Sequence, residues 1–133
     1  MSNYLLDTDI CIFFLKGHQK VKEKIQEVGI ANCYISEITI GELFYGAFNS
    51  EHKEKHIKEV SKMNALFDVV PIYNSLELFG QEKARLKKSG KIIPDFDLLI
   101  GVAAVQHEMI MVTNNQKHLS RFEGLEIENW VAF

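Results

Sequence analysis

A chain of 133 residues, 47% hydrophobic and 25% charged, has the size and balance of one globular domain with a single core. Its formal net charge of -3 excludes a protein that clings to nucleic acid by bulk charge, so a nucleic-acid function would need a local basic patch, or cations on a local acidic one. No apolar run approaches a membrane span and the start, MSNYLLDTD, lacks the basic flank and cleavage site of a signal peptide, so the expected compartment is the cytoplasm.

In chain order, short apolar or β-branched runs alternate with longer helical ones. The strand candidates are NYLLD (3–7), NCYIS (32–36), DVVPIY (68–73), MIMVT (109–113) and LEIENW (125–130). Pro71 weakens the third or places it near a sheet edge. Helices are expected over 8–16, 19–28, 37–49, 51–66, 75–89 and 95–108. In the fourth, Glu51 with Lys55 and Glu54 with Lys58 stand at ion-pair spacing on a solvated face. Lys88-Ser-Gly90 should close the fifth with positive charge and a C-terminal glycine. The alternation predicts an α/β fold with a mostly parallel sheet covered on both faces. Cys11 and Cys33, each in an apolar stretch, read as buried thiols without a disulfide.

The acids fall at telling places. Asp7 ends the first strand, with Asp9 two residues on; Asp95 and Asp97 head IPDFDLLIGVAAV, the most apolar helix. Sites in open parallel sheets form where strands end and helices begin. Each acid also has a purely structural explanation. Asp9 or Asp95 would cap a helix, Asp97 would serve a helix dipole, Asp7 would merely end a strand, and Asn115 would make a turn. Glu42 lies inside ISEITIGELFYGAF among Ile38, Thr39, Tyr45 and Gly46, on no evident solvated face, although Thr39 to Glu42 also fits a capping box in competition with Ser36. A buried, unpaired carboxylate is costly unless it becomes neutral or meets a cation. A carboxylate cluster suits hard Mg²⁺ or Mn²⁺.

At these residues the chain resembles the PIN-domain ribonucleases, and among them the VapC-like toxins of toxin–antitoxin pairs. LLDTDI, ISEITIGELFYGA, IIPDFDLLIGVAAVQH and MVTNNQKHLSRFEGLEIENW match in order and spacing over essentially the whole chain. The resemblance implies one PIN-like domain over 1–133, a three-layer α/β/α sandwich with its carboxylates at the C-terminal edge of the sheet. It further implies Mg²⁺- or Mn²⁺-dependent cleavage of single-stranded or loop RNA, inhibition by an antitoxin protein, and a homodimer. Carried over by motif, Asp7, Glu42 and Asp97 are the acidic triad and metal ligands, with Asp95 a further catalytic acid. The fourth acidic position falls on Asn115, a neutral oxygen donor, which should weaken the hold on a second metal. Thr113, Asn115 and Asp9 are then supporting or water-positioning groups. Water would attack the phosphorus in line, leaving a 5′-phosphate and a 3′-hydroxyl.

Lys87, Lys88 and Lys91 before PDFD, with Lys117 and Arg121 after the asparagines, form an expected basic rim for RNA, or else a solvated helix end and a surface turn. Phe96 could stack on a base, but core packing is the commoner fate of such a ring. Phe13, Phe14, Phe44, Tyr45 and Phe48 should be mostly core, with a remainder for self-association or an antitoxin groove.

LLDTDI also suits a haloacid-dehalogenase-like phosphatase, against which stand the short chain and Cys11 at a usual threonine position. A receiver-like module lacks its phosphate-accepting aspartate in DVVPIYNS. A PIN-like module that binds RNA or a partner without cutting, because of Asn115, is the remaining rival. His52 and His56 lack the glutamate of a zinc-protease helix and suit a solvated face. His18, His107 and His118 form no usable spacing.

Overall fold

The computed structural model describes residues 2–131. Strand β1 (Tyr4–Leu6) leads into α1 (Thr8–Leu15) and α2 (Gln19–Val28); β2 (Cys33–Ser36) is followed by α3 (Glu37–Phe48) and α4 (Lys53–Leu66). Strand β3 (Asp68–Val70) precedes α5 (Leu76–Ser89) and α6 (Asp95–Gln106), then β4 (Ile110–Val112), the short α7 (Gln116–Leu119) and β5 (Ile127–Glu128). The sheet has five strands in the order β3-β2-β1-β4-β5, and every pairing is parallel. Pro71 directly follows β3, an edge strand, where its missing N–H costs no ladder bond.

Both faces of the sheet are covered, giving the expected α/β/α sandwich. Strand residues alternate: Leu6, Cys33, Ile35 and Val112 pack with α1 to α4, while Leu5 and Met111 pack with α5 to α7. Helix α6 is buried almost all round through Leu98, Ile100, Gly101, Val102, Ala103 and Ala104, which explains a sequence with little polar face. Gly101 is required there, because an added Cβ would stand 2.8 Å from Cε2 of the buried Phe122 ring. Gly101→Ala is therefore expected to cost about 1–3 kcal/mol by overpacking. A thermal melt checks this, and an unchanged midpoint would mean that Phe122 turns aside freely.

Local signals hold in most places and fail in a few. Gly90 ends α5 in the left-handed region (φ 72°), with its N–H on the carbonyls of Leu86 and Lys87. Ser36 caps α3 by accepting from the N–H of Ile38, so Thr39 is not the cap. Pro94, not Asp95, occupies the cap position of α6, and it has no side chain to offer a bond. On α4, Lys55 pairs with Glu59 at 4.0 Å rather than with Glu51. Both cysteines are buried and free, and burial pushes their thiols up, that of Cys33 to about 11.

Candidate active site

The order β3-β2-β1-β4-β5 makes the gap between β1 and β4 the topological switch point, where successive connections leave in opposite directions. Asp7 follows β1 at that gap, and its N–H donates to the carbonyl of Val112 on β4 (2.9 Å). Its carboxylate is held at both oxygens. Oδ1 accepts from the N–H of Thr8 (2.8 Å), so Asp7 itself caps α1, and Oδ2 accepts from the hydroxyl of Thr113 (2.7 Å). Only 4% of Asp7 is exposed. Burial pushes its carboxyl up to about 7, with the charges of Asp9 and Asp97 adding to the effect and the two hydrogen bonds opposing it.

Asp9, expected to cap α1, instead braces two loops. One oxygen accepts from Ile10 N–H (2.7 Å) and the other from Asn114 N–H (3.0 Å), which ties α1 to the segment after β4. Burial is the main cause that raises its pKa, and Asp97 adds to it. Asp97, half-buried in the first turn of α6, is raised chiefly by burial and lowered by the nearby His118. These three acids thus stand within electrostatic reach of one another.

Glu42 is tied by hydroxyls to Thr8, whose backbone N–H holds Asp7. The Thr8 hydroxyl donates to Glu42 Oε1 (2.6 Å) and, having one proton, must accept from the buried Thr39 hydroxyl 3.0 Å away. Thr113 both donates to Asp7 and accepts from the N–H of Asn115 (2.9 Å). Asn115 starts α7 without capping it, and its side-chain nitrogen lies 3.4 Å from Nδ1 of His118.

Two of the expected site residues have other partners, and one ring departs from its expected place in the core. Asp95 points away from the other acids: it is exposed and pairs with Lys83 at 2.9 Å. Successive helical residues are about 100° apart, so Asp95 and Asp97 leave α6 in different directions. Arg121 is no free rim cation, because its guanidinium donates to the carbonyl of Ile92 (2.7 Å) while its own carbonyl accepts from Arg85. That clamp holds the loop before α6. Phe96 does not pack in the core but stands 53% exposed. Lys87, Lys88, Lys91 and Lys117 are exposed. Thr8 and His118 escaped the sequence reading; Thr8 sits between Asp7 and Asp9, and His118 is one helical turn from Asn115, which were the available signals.

Among the described residues, no three histidine, cysteine, aspartate or glutamate side chains converge as a ready-made metal cage. The fit to a cation lies in charge and donor type. A buried carboxyl driven up to about 7 beside two further acids lacks positive charge, and the three carboxylates offer hard oxygen donors. The residues therefore fit a divalent ion that completes the site on binding.

Comparison with known proteins agrees with this geometry. The PIN domain family model matches residues 4–125. Ribonuclease VapC2 of Haemophilus influenzae is 33% identical over 98% of this chain and 100% of its own length. The tRNA(fMet)-specific endonuclease VapC of Shigella flexneri is 30% identical over 98% and 99% respectively. Among solved structures, a chain of the DNA-bound VapBC complex from Salmonella typhimurium superposes with a TM-score of 0.91 at 30% identity, covering 98% of this chain and 99% of that one. With matches of this length and identity, and with its acids gathered at the switch point of a parallel sheet, the chain belongs to the PIN-domain family, on its VapC-like side.

Proposed function

We propose that the protein is a metal-dependent endoribonuclease and the toxin of a toxin–antitoxin pair, acting in the cytoplasm on single-stranded or loop RNA. The observation that carries the reading is the gathering of Asp7, Asp9 and Asp97 at the β1–β4 switch point, with Asp7 buried and pushed up to about 7. Asp7 and Asp97 would hold Mg²⁺ or Mn²⁺, with Glu42 as the third acid. Such an ion, when bound, offsets the negative charge of the scissile phosphate and makes water a better nucleophile.

The chain's own groups do the rest. Thr113 fixes one oxygen of Asp7, and the Thr39–Thr8 relay fixes Oε1 of Glu42, leaving Oε2 to take a proton from the attacking water. Attack in line with the 3′ oxygen forms the new P–O bond as the P–O3′ bond breaks. The products are a 5′-phosphate and a 3′-hydroxyl, and the 2′-hydroxyl takes no part. Asn115 contributes no charge, so the site favours one tightly held ion over two.

Partner binding has its own surface. A cavity of about 270 Å³ between α1, α3 and α4 is lined by Ile12, Leu15, Leu43, Ala47 and Val60, and it ends on Glu42. An antitoxin segment seated there would cover the catalytic glutamate. The structural relatives named above include a VapBC complex, which supports this reading. The homodimer would use exposed rings such as Phe48 and Tyr73. Among the described residues, no helix is long and apolar enough to cross a membrane.

The test is cleavage by the purified chain, stripped of any partner. Total RNA and tRNA(fMet), the latter chosen from the name of the Shigella relative, would be incubated with Mg²⁺, Mn²⁺ or EDTA. Discrete cuts that need the metal and carry 5′-phosphate ends are expected. Products ending in a 2′,3′-cyclic phosphate would overturn the mechanism, and a folded, partner-free chain that never cuts would favour a binding module silenced at Asn115.

A further inference from the structure

Beside the acids lies a cleft whose aromatic mouth the cleavage chemistry does not use. It measures about 790 Å³ and opens against Thr8 and Glu42, with Ile12 and Ile38 in its wall and the rings of Phe96 and Tyr45 at its mouth. Phe96 is 53% exposed and Tyr45 71% exposed, so the fold does not bury either ring. Phe96 is held at this mouth by the same helical turn that aims Asp97 at the other acids.

Two glycines of α3, Gly41 and Gly46, line the cleft, and a Cβ added to either would meet nothing within 4 Å. Glycine inside a helix costs about 1 kcal/mol relative to alanine. Packing within the chain does not account for either one. A missing Cβ is what the close approach of a flat ligand to a helix backbone requires.

Charge narrows the choice of ligand. Among the described residues, the cleft carries Glu37 and Glu42 but neither lysine nor arginine. Glu37 is occupied by the N–H of Ile72. A phosphate is repelled by such a lining, whereas a neutral planar group is accepted on its apolar and aromatic walls. We propose that this cleft takes an unpaired nucleobase of the RNA next to the scissile phosphate, stacked on Phe96 with Tyr45 as the second aromatic wall. The proposal rests on the nuclease reading and assigns the base-binding side of that site.

Binding is measured apart from turnover in the Asp97→Asn background, with Mg²⁺ present. The probes are a short, unstructured single-stranded RNA and an abasic ribose-phosphate oligomer of the same length. Base–aromatic stacking at this cleft should make the RNA bind about tenfold tighter than the abasic oligomer. Phe96→Leu should erase that preference, Phe96→Trp should keep it, and affinity for the abasic oligomer should stay the same in all three. A preference that survives both Phe96→Leu and Tyr45→Leu overturns the proposal. So does an equal loss of both oligomers, which would mark a structural role. Loss of a dimer, or of inhibition by a protein partner, with the base preference intact would assign the rings to protein contacts and likewise overturn it. Cleavage by the Asp97 chain is scored separately, so a base preference in a chain that cuts no RNA would overturn the nuclease reading and leave the cleft standing.

Discussion

Asp97→Asn is expected to lower RNA cleavage by about 10²–10³-fold or more while leaving the fold intact. The substitution keeps size, shape and the first turn of α6, and it removes one negative charge from a group in which Asp7 and Asp9 both feel Asp97. A divalent ion would then lose a charged ligand, and the scissile phosphate would lose the ion's help. Asp95→Asn, two residues away on the same helix, is the control. Asp95 is exposed and paired with Lys83, a surface contact worth at most about 1 kcal/mol, and it faces away from the other acids. Cleavage by Asp95→Asn should stay within about fivefold of native, an interaction of that size being all that is lost. Rate measurements at saturating metal separate the two variants. Equal losses would show that both aspartates of PDFD serve the site and that the geometry described for Asp95 is not the working one.

That contrast also shows where the sequence was informative. A mostly parallel sheet covered on both faces follows from short apolar runs alternating with helices, because burial on two faces constrains every residue of such a strand; the order of the strands, and with it the switch point, is set by pairings that no single run reveals. Asp7 and Thr113 could be placed at one sheet edge from their positions at strand ends. What each acid does there was not legible. The bonds that decide it join residues 34, 105 and 106 apart in sequence: Thr8 to Glu42, Asp9 to Asn114 and Asp7 to Thr113. Capping preferences assigned Asp9 and Asp95 to helix starts, but Asp7 and Pro94 hold those positions. The direction of a side chain around a helix axis was equally hidden. A shift of one residue turns the chain by about 100°, which separates Asp97 in the site from Phe96 in the cleft and from Asp95 on Lys83. Arg121 shows the same limit, since a basic residue in a motif cannot reveal that the carbonyl of Ile92 already occupies it.

Asp7→Asn should abolish cleavage and, in metal-free protein at alkaline pH, raise stability. The folded chain holds a proton on Asp7 up to about pH 7, whereas the ordinary value is 3.8, as in an unfolded chain. The folded state therefore binds that proton more tightly. The resulting stability is fully present below the unfolded value and is lost as pH rises through the folded one. Over that interval the loss is about 4 kcal/mol, taking 1.36 kcal/mol per unit from 3.8 to about 7. Asparagine carries no charge at any of these pH values and still offers one oxygen to Thr8 or Thr113, so the variant escapes the loss. In EDTA, the melting temperature of Asp7→Asn minus that of native should rise by about 10 °C or more from about pH 4 to about pH 8. Mg²⁺ or Mn²⁺ should recover much of that difference in the native chain alone, because the ion supplies the positive charge that the buried carboxylate lacks. A difference that stays flat with pH would mean that Asp7 ionises at an ordinary value in the folded chain. An equal response of both proteins to metal would place the ion elsewhere and remove Asp7 from its coordination.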